Sequence, residues 1–212
     1  MNEIMRKIQQ AGIIPVVVLN NAGDAVPLAK ALCEGGLPFA EVTFRTEAAE
    51  ESIRNMKKAY PEMTVGAGTI LTIEQVDRAV AAGAQFIVSP GLNPKVVKYC
   101  IEKGVTVTPG CQNPSDIEQA LENGLDVVKF FPAELSGGVK MIKALSGPYT
   151  TVRFLPSGGI NVDNVREYLA NDKVIACSGS WMVSTKLIQA GEYGKITELV
   201  RDAVSIVREV RG

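Results

Sequence analysis

Apolar and polar positions follow two repeating patterns along this chain. Short apolar runs rich in β-branched and aromatic residues alternate with longer stretches in which apolar residues recur every three or four positions. The first pattern predicts strands that begin near Ile13, Phe39, Thr64, Ala84, Val105, Asp126, Thr151 and Val174. The second predicts helices between them, among others over 72–82, 94–103 and 161–170. Strands that alternate with helices are typical of a parallel sheet covered by helices.

Residues that favour helix ends stand at the predicted joints. Asparagine and threonine are good N-cap residues, and they precede the predicted helices at Thr72, Asn93, Asn113 and Asn161. Glycine often ends a helix in a left-handed conformation, and we expect this at Gly36, Gly83, Gly104 and Gly124. Residues 1–11 are predicted to form a leading helix, and residues 192–210 a long closing helix.

Eight such strand–helix units predict an α/β protein, a (β/α)₈ TIM barrel that forms a single domain over residues 1–212 with an N-terminal helix. Active-site groups then lie at the carboxyl ends of the strands. The alternative is an open doubly wound sheet. It is less favoured because the first strand–helix turn lacks G-x-G-x-x-G, and Val65-Gly66-Ala67-Gly68-Thr69 falls in the third unit.

Charge and hydropathy restrict the partners of the chain. Its 212 residues include 22 basic and 23 acidic ones, and no basic run occurs, which argues against nucleic-acid binding. No apolar stretch is long enough to span a membrane, and the N-terminus lacks the apolar segment of a signal peptide. The four cysteines form no C-x-x-C pair, and three of them, in apolar or helical contexts, are expected to be buried thiols. These features predict a cytoplasmic protein.

The chain contains no histidine. Zinc sites with histidine ligands, the Ser-His-Asp triad and Cys-His nucleophilic pairs are therefore excluded. Proton transfer is left to carboxylates, lysine, tyrosine, cysteine or water, and a magnesium site made of carboxylates stays open.

Lys129 lies in the apolar strand Asp126-Val127-Val128-Lys129-Phe130-Phe131-Pro132. Alternate side chains of a strand share a face, so Lys129 points the same way as Val127 and Phe131. Desolvation disfavours an ammonium group, and a neutral amine in a shielded site is a nucleophile toward carbonyl carbon, as in Schiff-base enzymes. The alternative is a lysine at a strand end whose amine extends to solvent.

The second strand ends in Glu41-Val42-Thr43-Phe44-Arg45, which places Glu41, Thr43 and Arg45 on one face. Buried charges need a partner or a ligand. Arg45 suits a substrate carboxylate, which arginine can bind through two parallel hydrogen bonds. A purely structural ion pair between Glu41 and Arg45 is the alternative.

Glycine-rich turns follow several strands. Gly66-Ala67-Gly68-Thr69 and Ser89-Pro90-Gly91 are interpreted as tight turns, and the alternative is that their glycines let the backbone approach a ligand closely. The turns Ser157-Gly158-Gly159 and Gly179-Ser180 follow strands seven and eight, where barrels bind phosphate through backbone N–H groups. Close-packed turns without a ligand are the alternative.

A nucleophilic amine, a carboxylate, an arginine and a phosphate pocket around one cavity suit carbon–carbon chemistry on a phosphorylated 2-oxo acid. Two other hypotheses stay open. One is a phosphate-binding barrel synthase or isomerase in which Lys129 acts only electrostatically, and the other is a binding protein that has lost the chemistry.

Six motifs in order resemble the bacterial KDPG aldolase family, which comprises 2-dehydro-3-deoxy-6-phosphogluconate (KDPG) aldolases and 4-hydroxy-2-oxoglutarate (KHG) aldolases. The resemblance covers almost the whole chain and rests on residues 41–46, 65–69, 87–91, 128–134, 156–160 and 179–181. The segment Lys129-Phe130-Phe131-Pro132-Ala133-Glu134 is its most specific part.

The resemblance implies a class I, Schiff-base aldolase that releases pyruvate, from KDPG with glyceraldehyde 3-phosphate and from KHG with glyoxylate. It implies that Lys129 forms the Schiff base and that Glu41 is the general acid and base. It further implies a homotrimer that needs no metal or other cofactor. The substrate-binding residues implied by it are Arg45 and Thr69 for the carboxylate, Pro90 and Phe131 around the pyruvyl group, and Gly158, Gly159, Gly179 and Ser180 for the phosphate. Ser157 stands where the family often has threonine, which puts the contacts to the substrate hydroxyls, and hence the stereochemical preference, in question.

Overall fold

The computed structural model describes residues 2–212, and Met1, the first residue of the predicted leading helix, lies outside the described residues. All eight predicted strands are present within this range. They are β1 Ile13–Val17, β2 Phe39–Thr43, β3 Thr64–Gly68, β4 Phe86–Val88, β5 Thr106–Thr108, β6 Val127–Phe130, β7 Arg153–Pro156 and β8 Cys177–Gly179. The α-helices between and around them are α1 Glu3–Ala11, α2 Ala25–Glu34, α3 Ala49–Ala59, α4 Ile73–Ala81, α5 Pro94–Glu102, α6 Pro114–Glu122, α7 Gly138–Ser146, α8 Val165–Leu169, α9 Thr185–Gln189 and α10 Tyr193–Arg211.

The strands are parallel and form two sheets. Six of them pair in the order β5-β4-β3-β2-β1-β8, and β6 pairs with β7. The first and last strands are therefore neighbours, and the order shows no reversal, which contradicts the doubly wound alternative. Isolated bridges join the two sheets: one between Gly110 and Lys129 on one side, and two, Phe154 with Val174 and Ser157 with Ser178, on the other.

The prediction of an α/β protein with eight parallel strands is confirmed, but the strands do not form one continuous hydrogen-bonded sheet. The two edges that face β6 and β7 belong to β5 and β8, and each of these strands is only three residues long. Short edge strands offer few backbone groups for pairing, so the ladder between the two sheets shrinks to isolated bridges.

Both faces of the strands are covered, as parallel sheets require. All five residues of β2 and all five of β3 are buried. Phe130 and Phe154, from the neighbouring strands β6 and β7, are fully buried and meet edge to face with their ring centres 6.3 Å apart. Close packing on both faces restricts the positions that side chains on these strands can adopt.

Most helix boundaries agree with the sequence. Thr72, Asn93 and Asn113 cap their helices through side-chain oxygens, and Gln75 completes a capping box with Thr72. The cap predicted at Asn161 is wrong, since α8 begins only at Val165. The Asn161 side chain instead accepts a hydrogen bond from the Asp163 N–H within a turn. The four helix-terminal glycines have positive φ as predicted, at Gly36, Gly83, Gly104 and Gly124.

The buried cysteines are confirmed as thiols. Cys100, Cys111 and Cys177 are buried, Cys33 is half-buried, and all four are free. None of the helices in residues 2–212 combines the length and the apolar character that a membrane crossing needs.

Candidate active site

Lys129 and Glu41 meet in the space enclosed by the strands. Lys129 Nζ lies 3.4 Å from Glu41 Oε1, although the two residues belong to different sheets. Glu41 is fully buried and Lys129 is 6% exposed. The alternative in which the lysine extends to solvent is therefore wrong. The Lys129 amine also lies 5.2 Å from the centre of the Phe131 ring, within the range of a cation–π contact.

The backbone of β3 leaves room for the glutamate. Gly68 lies beside Thr43 in the parallel ladder, and a Cβ atom there would stand 2.3 Å from Glu41 Oε1. Only glycine allows this carboxylate to occupy its position. The second oxygen of Glu41, Oε2, is buried without a hydrogen-bond partner among residues 2–212. A buried carboxylate oxygen in this state is ready to accept a proton or a hydrogen bond from a ligand.

Arg45 lies beyond the end of β2, so the strand alternation that predicted a face shared with Glu41 and Thr43 does not extend to it. β2 ends at Thr43, and Arg45 lies in the exposed turn that follows. Its side chain returns toward the strand, and Nε donates a hydrogen bond of 3.1 Å to Thr43 Oγ1. The alternative of a Glu41–Arg45 ion pair is wrong, since Glu41 is paired with Lys129.

Thr69 and Pro90 adjoin residues that border the contact between Lys129 and Glu41. Thr69 follows Gly68 and has φ of +57°, which is uncommon for a β-branched residue and indicates a strained turn. A Cβ atom on Gly110 would stand 2.1 Å from the Pro90 carbonyl oxygen, and Gly110 is itself the bridge partner of Lys129. Pro90 is therefore separated from Lys129 by the segment that contains Gly110.

A cavity of about 150 Å³ lies next to the lysine strand. Seven of the residues around it come from the carboxyl ends of β7 and β8 or the turns after them. The wall consists of Val16, Phe131, Ser157, Gly158, Gly159, Ile160, Ser178, Gly179 and Ser180. The structure thus brings together all the residues predicted for the phosphate pocket, along with Phe131 and Ser157.

The backbone of this cavity offers free donors. Gly158 and Gly159 have φ of +92° and +85°, a conformation that favours glycine. The N–H groups of Gly158, Gly159 and Ser180 donate to no acceptor within residues 2–212. Consecutive unpaired N–H groups in a turn form an anion-binding concavity.

The sequence profile of the KDPG and KHG aldolases matches residues 4–199. This chain belongs to that aldolase family. Among its relatives, the 2-dehydro-3-deoxy-phosphogluconate aldolase of Haemophilus influenzae is 50% identical over 206 residues, which is 97% of each chain.

Two crystal structures of aldolases of this family superpose closely on the chain. One is the KDPG aldolase of Legionella pneumophila, with pyruvate captured at low pH as a covalent carbinolamine intermediate. It is 36% identical, with a TM-score of 0.92 over 95% of this chain and 98% of that one. The other, the 2-keto-3-deoxy-6-phosphogluconate aldolase of Zymomonas mobilis with 3-phosphoglycerate, is 37% identical, with a TM-score of 0.90 over 95% of each chain.

In this aldolase-family chain, a hydrogen-bonded contact that the sequence did not indicate supports the glycine turn after β7. The Tyr168 hydroxyl, from the buried residue in α8, donates a hydrogen bond to Glu134 Oε1. Burial, followed by this hydrogen bond, raises the pKa of Tyr168. The Glu134 N–H donates to the Gly158 carbonyl, and a Cβ atom on Gly159 would meet Glu134 Cγ at 2.6 Å. Glu134 therefore joins the turn after β6 to the glycine turn after β7.

Ser178 was also missed. It is fully buried beside Ser157, and its hydroxyl has no partner within residues 2–212. The alternation of side chains in the apolar eighth strand was the one signal for it. Elsewhere, a cavity of about 330 Å³ lies at the amino ends of β5 and β6, and one of about 760 Å³ lies between α1, the end of α8 and α10. Residues 2–212 contain no group of three or more cysteines and carboxylates that could hold a metal.

Proposed function

We propose that this chain is a class I aldolase that cleaves KDPG to pyruvate and glyceraldehyde 3-phosphate through a Schiff base on Lys129. The observation that carries the proposal is the buried contact of 3.4 Å between the Lys129 amine and the Glu41 carboxylate. A lysine amine attacks a ketone only when neutral, and the neighbouring carboxylate is the group placed to take its proton. Membership of the family and the relatives' substrates point to the same chemistry.

In this mechanism the Lys129 amine adds to C2 of the 2-oxo acid, and loss of water from the carbinolamine gives the iminium ion. Glu41 then takes the proton of the C4 hydroxyl, the bond between C3 and C4 breaks, and the electron pair is delocalised into the iminium as an enamine. Glyceraldehyde 3-phosphate leaves. Glu41 returns a proton to C3 of the enamine, and hydrolysis of the imine releases pyruvate and the free amine.

The remaining site residues receive roles by the same proposal. Arg45 and Thr69 bind the carboxylate, while Pro90 and Phe131 pack around the pyruvyl group. Gly158, Gly159, Gly179 and Ser180 bind the phosphate, and Ser157 contacts the substrate hydroxyls. The free N–H groups around the cavity of about 150 Å³ support the phosphate assignment.

KHG, which carries no phosphate, is a second substrate in this proposal and yields pyruvate and glyoxylate. The two sheets form one closed (β/α)₈ barrel, which the bridges between Gly110 and Lys129 and between Ser157 and Ser178 support.

The active protein in this proposal is a homotrimer without a metal or other cofactor. Light scattering should give three times the chain mass of 22.6 kDa. The protein acts in the cytoplasm, and its four free cysteines support this compartment.

Reduction by borohydride in the presence of pyruvate tests the proposal. Wild type should gain one covalent pyruvate-derived group on Lys129, and Lys129→Arg should gain none, because arginine stays protonated and forms no imine. Lys57→Arg is the matched control. Burial lowers the pKa of Lys57, whose Nζ donates to the Pro61 and Met63 carbonyls outside the site, and this variant should be labelled like wild type.

The outcome also separates the aldolase from the other two hypotheses. A synthase or isomerase without Schiff-base chemistry, or a binding protein, would show no label on Lys129 at saturating pyruvate. Label on Lys57 alone would mean that reactivity follows burial and not the site. Activity that disappears in excess chelator and returns with magnesium would instead indicate a metal-dependent aldolase.

A further inference from the structure

Two hydrogen bonds in series tie Arg45 to the carboxyl end of β1. The Arg45 Nε–H donates to Thr43 Oγ1 at 3.1 Å, and the Thr43 hydroxyl donates to the Val17 carbonyl oxygen at 3.0 Å. Thr43 is 2% exposed, whereas Arg45 lies in an exposed turn. The buried Thr43 side chain therefore anchors the exposed Arg45 side chain.

The direction of both hydrogen bonds is fixed by chemistry. A guanidinium has only donors and a carbonyl has only acceptors, while a threonine hydroxyl has a single hydrogen. The hydroxyl must therefore donate to Val17 and accept from Arg45. Threonine is also stiff at χ1 because two heavy atoms branch from its Cβ. Thr43 thus presents its oxygen to Arg45 in one orientation.

This arrangement determines which part of the guanidinium is available to a ligand. A carboxylate can pair with arginine along the Nε–Nη edge or along the edge formed by the two Nη atoms. The first edge is occupied by Thr43. The two Nη groups have no acceptor within residues 2–212 and remain available.

We propose that Thr43 is a positioning residue of this enzyme, which holds Arg45 so that its two Nη groups receive the carboxylate of the 2-oxo acid. The inference rests on the proposed function, in which Arg45 binds that carboxylate. An exposed arginine samples many rotamers, and ordering it on binding costs free energy. A hydrogen bond at Nε that exists before binding reduces this cost. Thr43 does not contact the substrate in this role.

The test measures the pyruvate concentration that gives half-maximal borohydride labelling of Lys129, and the labelling rate at saturation. Thr43→Val keeps the shape and removes the hydroxyl. It should raise the half-saturating concentration about 5- to 10-fold, the effect of one lost hydrogen bond, and change the saturated rate less than about threefold. Thr43→Ser should restore wild-type behaviour within about twofold, since serine keeps the hydroxyl.

Methyl pyruvate, an ester without the charged carboxylate, separates positioning from general damage to the site. Thr43→Val should leave its half-saturating concentration unchanged. Thr197→Val is the matched control, because Thr197 is another buried threonine whose hydroxyl bonds the Ala31 carbonyl, far from Arg45. It should match wild type with both compounds. If Thr43→Val fails to fold, Thr43→Ala should show the same selective loss.

Three results would overturn the inference: no change for pyruvate in folded Thr43→Val or Thr43→Ala, equal losses for pyruvate and methyl pyruvate, or no rescue by serine. Arg45→Met distinguishes this failure from that of the proposed function. If wild type is labelled normally and pyruvate binding weakens in Arg45→Met but not in Thr43→Val, only the positioning role of Thr43 is refuted. Wild type without label refutes the aldolase chemistry.

Discussion

Lys129 of β6 and Glu41 of β2 approach to 3.4 Å across the space between the strands, and they are 88 positions apart in sequence. The contact pairs two charges that the protein removes almost completely from water. Burying an ion pair is expensive unless further hydrogen bonds satisfy both groups, and Glu41 Oε2 has no partner within residues 2–212. The purpose we assign to this contact is proton transfer between Glu41 and groups bound to Lys129.

Glu41→Gln should separate imine formation from bond cleavage. Glutamine keeps the shape and the hydrogen-bonding oxygen but does not accept a proton. Pyruvate should still be trapped on Lys129, though more slowly, while kcat for KDPG cleavage falls about 10²–10⁴-fold, the usual contribution of a positioned acid or base. Thermal unfolding of the variant shows whether the fold persists. A folded Glu41→Gln that keeps kcat within a few-fold of wild type would assign Glu41 to structure.

Ser180→Ala should affect the phosphorylated substrate selectively. It removes one hydroxyl from the cavity, which should lower kcat/KM for KDPG about fivefold, or up to about 100-fold if the lost bond is charge-assisted. The value for KHG should hardly change. Ser205→Ala, at an exposed serine in α10, is the control and should leave both substrates unaffected. Equal losses for KDPG and KHG would mean that Ser180 does not bind phosphate.

Tyr168→Phe should loosen the glycine turn that we assign to phosphate. The change removes the hydrogen bond to Glu134 and should lower the free energy of unfolding by about 0.5–1.5 kcal/mol. We expect a several-fold lower kcat/KM for KDPG and no change for KHG. Tyr149→Phe is the matched control, because it removes an exposed tyrosine–glutamate hydrogen bond, to Glu118, elsewhere on the surface. If the two variants behave alike, the Tyr168–Glu134 contact has no special role.

The buried thiols should make the protein less stable in alkaline solution. Burial raises the pKa of Cys100 to about 11 and the pKa values of Cys111 and Cys177 to about 12. In the unfolded chain a thiol ionises near pH 8.5, so above this pH the unfolded state binds fewer protons than the folded state. Stability present below about pH 8.5 is then lost progressively as the pH rises toward the folded pKa values.

Urea unfolding between pH 8.5 and 9.5 measures this effect. Each buried thiol should contribute a loss of about 1 kcal/mol over this interval. Cys177→Ala should show a smaller loss than wild type by about that amount, whatever its stability at pH 8. The same pH dependence in both proteins would show that Cys177 is not a source of alkaline instability.

The sequence by itself determined the elements and the types of residue at their ends. Apolar periodicity, cap residues and glycines depend on neighbours close along the chain, and they predicted the eight strands and most helix ends. The departures are local too. Asn161 forms a side-chain turn in place of a helix cap, and β2 ends before Arg45.

Only the tertiary structure decided which distant residues meet. The Lys129–Glu41 contact, the Glu134–Tyr168 hydrogen bond and the burial of Ser178 beside Ser157 depend on the order and register of strands that lie far apart in sequence. Arg45 shows the same principle over a short distance, since its tie to Thr43 depends on the path of a turn. Strand register and turn geometry arise from packing of the whole domain, and periodicity along the chain does not specify them.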